Sequence, residues 1–284
     1  MSALATAHVA RLHYVDELSN LQIAARLGVS RFKVARMLSQ ARAEGIVRIA
    51  IDEPLEVDAD AARALEARYG LDLAVVVGDG AAVAGAAAAW LPDLLREGEP
   101  LGVGWGTTLA AVAERLEPQP RLGVEVVQVC GAIAGLEPGT TPVELALRFA
   151  QRLGGPLRSL PAPALASRRA RDELLANEAV APTVARWSEV GLVLAGIGTV
   201  LPEAPASAAG HLLVQSFAAD GTLLAARAAE RAIAIGTADL RRARVMAVAG
   251  GAAKAGAVAG ALRTGLLDVL VCDTAAARAA LEDA

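Results

Sequence analysis

Cysteine, histidine, lysine and aromatic residues are all scarce in this chain, and the shortages close off several kinds of chemistry. The two cysteines, Cys130 and Cys272, end the apolar runs VEVVQVC and LLDVLVC. That setting points to buried free thiols and away from a disulfide framework. His8, His13 and His211 form no cluster with a cysteine, so a zinc site has no support. Long apolar runs are missing too: Ala81–Leu91 is too short to span a bilayer and is followed by Pro92 and Asp93. The start of the chain shows no basic-then-apolar secretory pattern. A cytoplasmic protein with no membrane partner is the expectation. The apolar content that is present comes from Ala, Val and Leu, which suits helices packed on an apolar sheet.

The most informative stretch is LSNLQIAARLGVSRFKVARMLSQARAEGIVRI, residues 18–49. Ser19 can cap a helix carrying Ile23, Ala24 and Leu27 at helical spacing, and Ser19 and Gln22 count with the second helix among the candidate DNA-binding residues. Gly28 permits a left-handed turn. Ser30 can cap a second helix with Val34, Met37 and Leu38 on one face and Arg31, Lys33 and Arg36 on the other. This is a helix-turn-helix pattern, whose second helix offers cations and donors to a DNA major groove. Phe32 would either meet a thymine methyl or pack within the head. Charge partition agrees: residues 1–50 hold seven Arg or Lys against three acids, a net of +4, and the whole chain is −4, leaving −8 elsewhere. An acidic protein with one basic end suits binding of phosphates through that end. The bland alternative is a helical hairpin with a solvated basic face.

A helix over residues 3–17 precedes this motif. Gly45 stops the second helix, and residues 46–51 alternate as a short strand, one arm of a winged motif. We place the DNA-binding head at 1–52, an acidic, proline-interrupted linker at 53–58, and a larger domain at 59–284. There the pattern becomes strand, glycine turn, helix. The strand candidates are Leu73–Val77, Leu101–Gly104, Glu125–Val129, Leu192–Gly196, Arg231–Ile235, Val245–Ala249 and Val269–Cys272. The helix candidates are Ala81–Leu95, Leu109–Leu116, Pro142–Leu153, Arg168–Ala176 and Ala252–Arg263. Continuous apolar strands alternating with helices predict a doubly wound α/β domain, with ligands beyond the carboxyl ends of its strands.

Four glycine corners follow strand candidates. Gly102-Val103-Gly104-Trp105-Gly106-Thr107-Thr108 opens a helix and offers N–H groups and two hydroxyls to an anion. It has neither the lysine of a Walker motif nor GxGxxG spacing. Gly250-Gly251-Ala252-Ala253-Lys254 places one of only two lysines a turn into a helix, where it could reach a phosphate or be solvated. Gly131–Gly135 and Gly196-Ile197-Gly198-Thr199 complete the set.

Taken in order, LSNLQIAARLGVSRFKVARMLSQARAEGIVRI, LGVGWGTTL, VVQVCGAIAG, LVLAGIGTV, the Ala219-Asp220-Gly221 turn and the C-terminal run from VMAVAGGAAKAG to Glu282 resemble the SorC family of sugar-binding transcriptional regulators. The resemblance covers almost the whole chain. It implies an effector domain related to sugar-phosphate isomerases and deaminases, a phosphorylated sugar as effector, double-stranded operator DNA as partner, no cofactor, and a homodimer or homotetramer. By position, Gly106, Thr107 and Thr108 would cradle the phosphate with Lys254, and Gly104 lies in the same corner. Gly131, Gly198 and Gly250 would wall the pocket, Asp273 would face the sugar or fix nearby loops, and Glu144 could take sugar hydroxyls. Two positions depart from the pattern: His211 stands where many members have Asp, and Ala132 where they have Gly. His211 either meets the ligand or is a packing histidine.

A sugar-phosphate isomerase or deaminase carrying a DNA-binding head is the rival reading, and it needs a carboxylate base beside the phosphate. Acids near the corners are few, Glu144 and Asp273 being the obvious ones, and the acidic block of the isomerases is reduced to Asp220-Gly221. The expectation is therefore a regulator and not an enzyme. A constitutive DNA-binding protein with a degenerate pocket is the third reading.

Overall fold

The computed structural model describes residues 3–48, 56–199, 204–224 and 230–282, and the chain divides into two compact units, Met1–Pro54 and Leu55–Ala284. In the first unit, α1 (Ala3–Tyr14), α2 (Asn20–Leu27) and α3 (Arg31–Ala43) enclose a core of Val9, Leu12, Ile23, Val34, Met37, Leu38 and neighbouring alanines. Helix α1 ends before residue 17 because the chain turns at Glu17, whose φ is +55°. The expected wing strand is not formed where it can be seen. Ile46–Arg48 are irregular and residues 49–51 lie outside the described residues. Gly45 turns left-handed at φ +69°, and the Val47 N–H donates back to the Ala41 carbonyl at 3.0 Å. Val47 then packs on the helical core, so its apolar side chain closes α3 instead of starting a sheet.

The second unit runs α4 (Ala59–Tyr69), β1 (Leu73–Val77), α5 (Gly80–Leu94), β2 (Leu101–Val103), α6 (Thr107–Arg115), β3 (Val126–Gln128), α7 (Pro142–Leu153), β4 (Leu157–Arg158), α8 (Arg168–Leu175), α9 (Ala181–Arg186), β5 (Leu192–Gly198), β6 (Gly210–Leu212), β7 (Gln215–Phe217), α10 (Thr237–Leu240), β8 (Arg244–Ala249), α11 (Ala255–Arg263), β9 (Val269–Asp273) and α12 (Thr274–Glu282). The sheet order is β1-β9-β8-β5-β2-β3-β4, with every pair in that path parallel. Successive strand side chains enter opposite layers. Val75, Val77, Met246, Val248, Val269 and Val271 pack with α5, α6 and α7. Ala74, Val76, Ala247, Ala249, Leu270 and Cys272 pack with α4, α11 and α12. Burial on both faces explains why these strands read as unbroken apolar runs. Both cysteines are free and buried, and burial pushes each thiol up to about 12.

One expected strand is not in the sheet. Ala232 and Ala234 make isolated antiparallel bridges to Leu165 and Cys130. The Ile233 N–H donates to Ala164, and the Ile233 carbonyl accepts from Gly131. The extended segment Arg231–Ile235 is thus paired by the loops beyond β3 and β4. The pattern marked an extended segment correctly, but its partners were long-range. The hairpin β6–β7, which pairs antiparallel with the end of β5, carried no sequence signal of a turn. Its tip is Leu213-Val214 instead of a glycine or asparagine pair, and Leu213 adopts φ +52°.

Candidate functional site

The first unit presents its chemistry on α3. Ser30 caps that helix by accepting the Lys33 N–H at 3.2 Å. Ser19 and Gln22 form a reciprocal capping box at the start of α2: the Ser19 N–H and hydroxyl both donate to Gln22 Oε1, and Ser19 Oγ accepts the Gln22 N–H. These two exposed side chains are therefore occupied in building the helix start. Gly28, at φ +63°, makes the turn between α2 and α3. While Val34, Met37, Leu38 and Ala41 are buried, Arg31, Phe32, Lys33 and Arg36 stand exposed. The Arg31 guanidinium carbon lies 4.9 Å from the Phe32 ring centroid. This is a capped helical pair with a cationic outer face.

In the second unit a cavity of about 230 Å³ opens beyond the carboxyl ends of β2 and β5. Gly106, Thr107, Thr108, Gly198, His211 and Lys254 line it, as do Trp105, Leu136, Gly196, Ile197, Thr199 and Leu213. Gly106 takes φ +112° and provides no side-chain cap to α6, so the first-turn N–H groups have no side-chain acceptor. Lys254 Nζ donates to Thr108 Oγ1 at 3.0 Å, and burial lowers the lysine pKa. With its oxygen accepting from lysine, the Thr108 hydroxyl keeps its own proton for a ligand. This end of the cavity thus offers ammonium, hydroxyl and helix-start N–H donors together.

The other side is different in character. His211, on β6, donates from Nδ1 to the Leu213 carbonyl at 2.8 Å. Burial lowers its pKa, the Leu213 bond opposes that, and Lys254 adds to the lowering. A neutral ring with Nδ1 protonated leaves Nε2 as an acceptor. Nε2 lies directly over Gly198, where it occupies the space that a Cβ would need. The Trp105 and His211 rings are stacked, with centroids 6.3 Å apart and planes 17° apart.

The remaining expected residues take other places. Gly104 is buried beneath Leu213, whose Cδ2 a Cβ there would approach to 2.8 Å. Gly131 lies against the Pro163 carbonyl, which fills the position of a Cβ. Gly250 lines an adjoining cleft with Gly80, Thr107, Thr108 and Arg115. Glu144 accepts from the Thr141 hydroxyl and the Gly139 N–H, and those two bonds lower its pKa. Asp273 is 3% exposed and accepts from the N–H groups of Gly251 and Ala276, tying the corner after β8 to the start of α12. Of the lining residues that sequence reasoning missed, Trp105, Gly196, Ile197 and Thr199 lay within quoted corners and Leu136 directly follows one, whereas Leu213 comes from a turn with no such marker.

Residues 53–282 match the protein family described as "Putative sugar-binding domain". The chain is 30% identical to the deoxyribonucleoside regulator of Bacillus subtilis (strain 168) over 96% of both chains. It is 27% identical to the erythritol catabolism regulatory protein EryD of Brucella abortus (strain 2308), over 94% of this chain and 93% of that one. The crystal structure of the full-length sorbitol operon regulator SorC from Klebsiella pneumoniae superposes with a TM-score of 0.73 at 25% identity, covering 98% of each chain.

Proposed function

The chain belongs to this sugar-binding domain family, and from that premise we propose that it is a DNA-binding transcriptional regulator whose hold on operator DNA is set by a phosphorylated sugar or related carbohydrate metabolite. The observation that carries the effector reading is the donor cluster of Lys254, Thr107, Thr108 and the start of α6. A phosphate is an acceptor-only dianion, and donors of this kind complement it. Neutral His211 supplies an acceptor for a ligand hydroxyl. The cavity is smaller than the ~300–1,000 Å³ of drug-sized sites, which favours a small metabolite.

Operator binding is assigned to α3, through Arg31, Phe32, Lys33 and Arg36, with Ser30, Ser19 and Gln22 shaping the helix starts. Assembly into a homodimer or homotetramer would pair two heads on an inverted repeat. An effector that prefers one arrangement of heads shifts the population toward it, and a few kcal/mol of differential affinity suffices. Regulation is favoured over catalysis because Glu144 and Asp273 are both bound to backbone N–H groups. A regulator of bacterial operons would work in the cytoplasm, where the DNA is. No helix among the described residues is long and apolar enough to cross a membrane.

The test is a thermal-shift panel of matched sugars and sugar phosphates, followed by operator binding with and without each hit. Stabilisation by a phosphorylated compound that also changes operator affinity is expected. A compound that stabilises only as the free sugar would overturn the phosphate assignment. Turnover of a sugar phosphate would restore the enzyme reading.

A further inference from the structure

The three phenylalanines of the chain are placed unequally. Phe149 and Phe217 are fully buried, whereas Phe32 is 69% exposed. The core of the helical head is complete without it, being built from α1, the buried face of α2 and the buried face of α3. Phe32 is the second residue of α3, so it occupies the first turn of the helix that would enter the groove. Arg31, Lys33 and Arg36 surround it, all exposed. An apolar protein partner docking on this ring would have to cover those cations as well, whereas DNA takes both the ring and the charges. The Arg31 guanidinium already rests on the ring, 4.9 Å from its centroid, which restricts where that fork can point.

We infer that Phe32 is a specificity-determining residue that contacts a thymine methyl group in each operator half-site, beside the base pair met by Arg31. The 5-methyl of thymine is the apolar feature of the major-groove edge, and a phenyl ring is one of the side chains that recognises it. First-turn residues of the second helix are those that reach base edges in this motif. The inference rests on the DNA-binding reading above and deepens it.

The experiment begins by selecting tight-binding duplexes from a random library with the full-length protein. In the best duplex each thymine is then replaced in turn by deoxyuridine, which removes only the methyl group, and affinity is measured at fixed salt. One position per half-site should weaken wild-type binding about fourfold, the loss of one buried methyl, and about fifteenfold when both half-sites are changed. Phe32→Ala should bind the unmodified duplex more weakly and be indifferent to deoxyuridine at that position. Phe32→Leu, still apolar, should keep part of the sensitivity. Because the side chain is exposed, unchanged thermal unfolding of both variants is expected and is checked alongside. Methyl insensitivity in the wild type, or equal sensitivity in Phe32→Ala, overturns the inference while leaving DNA binding intact. Failure to enrich any duplex removes the DNA-binding reading and this inference together.

Discussion

Replacing Lys254 by Met tests the anion site with little change in side-chain length. In the free protein the ammonium is held in partial burial, bonded to Thr108 at 3.0 Å, and its pKa is lowered by desolvation. A poorly solvated charge costs free energy until an anion arrives. The variant should therefore unfold at the same temperature as the wild type, or higher, when no ligand is present. A charge-assisted hydrogen bond to a phosphate contributes about 1.5–3 kcal/mol, so the loss of one near the upper end weakens binding about 100-fold. At a ligand concentration 100 times the wild-type Kd, the wild type gains about 2.7 kcal/mol and the variant only about 0.4 kcal/mol. For a unit of this size the thermal shifts are about 5–11 °C and about 1–2 °C. Differential scanning fluorimetry with the phosphorylated hit reads both numbers. If Lys254→Met keeps the full shift, lysine does not hold the phosphate. If it instead lowers the ligand-free unfolding temperature by several degrees, the Lys254–Thr108 bond is part of the scaffold and the reasoning fails.

Other expectations follow from backbone geometry, burial and capping. Gly131→Ala should destabilise the second unit by about 1–3 kcal/mol through overpacking, because its Cβ would collide with the Pro163 carbonyl; urea unfolding measures this. Gly106→Ala meets no atom within 4 Å but must hold φ +112°, so it should cost about 1–3 kcal/mol by strain and weaken ligand binding as α6 shifts; calorimetric titration with the effector checks the second part. His211, depressed chiefly by burial, stays neutral in the fold while the unfolded chain protonates near pH 6.5. Stability is then full above that pH and lost as the pH falls below it toward the lowered folded value, and His211→Gln should flatten this part of the stability profile. Ser30→Ala removes the cap on Lys33 and should cost the head about 1 kcal/mol, visible as faster amide exchange across α3.

The helical head and the parallel-sheet domain were legible because their signals are local. Ser30 and Gly28 mark a cap and a left-handed turn through their own chemistry. Runs such as Val245–Ala249 announce burial on both faces without reference to any neighbour. The segment Arg231–Ile235 shows the limit of such reading, since it is extended as expected but its hydrogen bonds go to residues 129, 131, 164 and 166. Ile46–Arg48 shows the same limit from the opposite direction, with Val47 spent on the helical core instead of a wing.

Spacing, capping and steric freedom act over a few residues, so the order of amino acids sets most of the strands and helices, where positive charge gathers, and which corners need glycine. Which polar groups remain available is a property of the packed molecule. Asp273 sits near the right corner in the chain, yet the N–H of Gly251, from the turn after β8, claims its carboxylate, whereas Glu144 is held locally by Thr141 and Gly139. His211 and Leu213 come over the cavity on a hairpin with no turn signature, held by pairing with β5. Lys254 and Thr108, 146 positions apart, meet because β2 and β8 both flank β5 in the sheet. Hydrogen-bond commitment and long-range juxtaposition arise when distant segments pack together, and no local pattern encodes them.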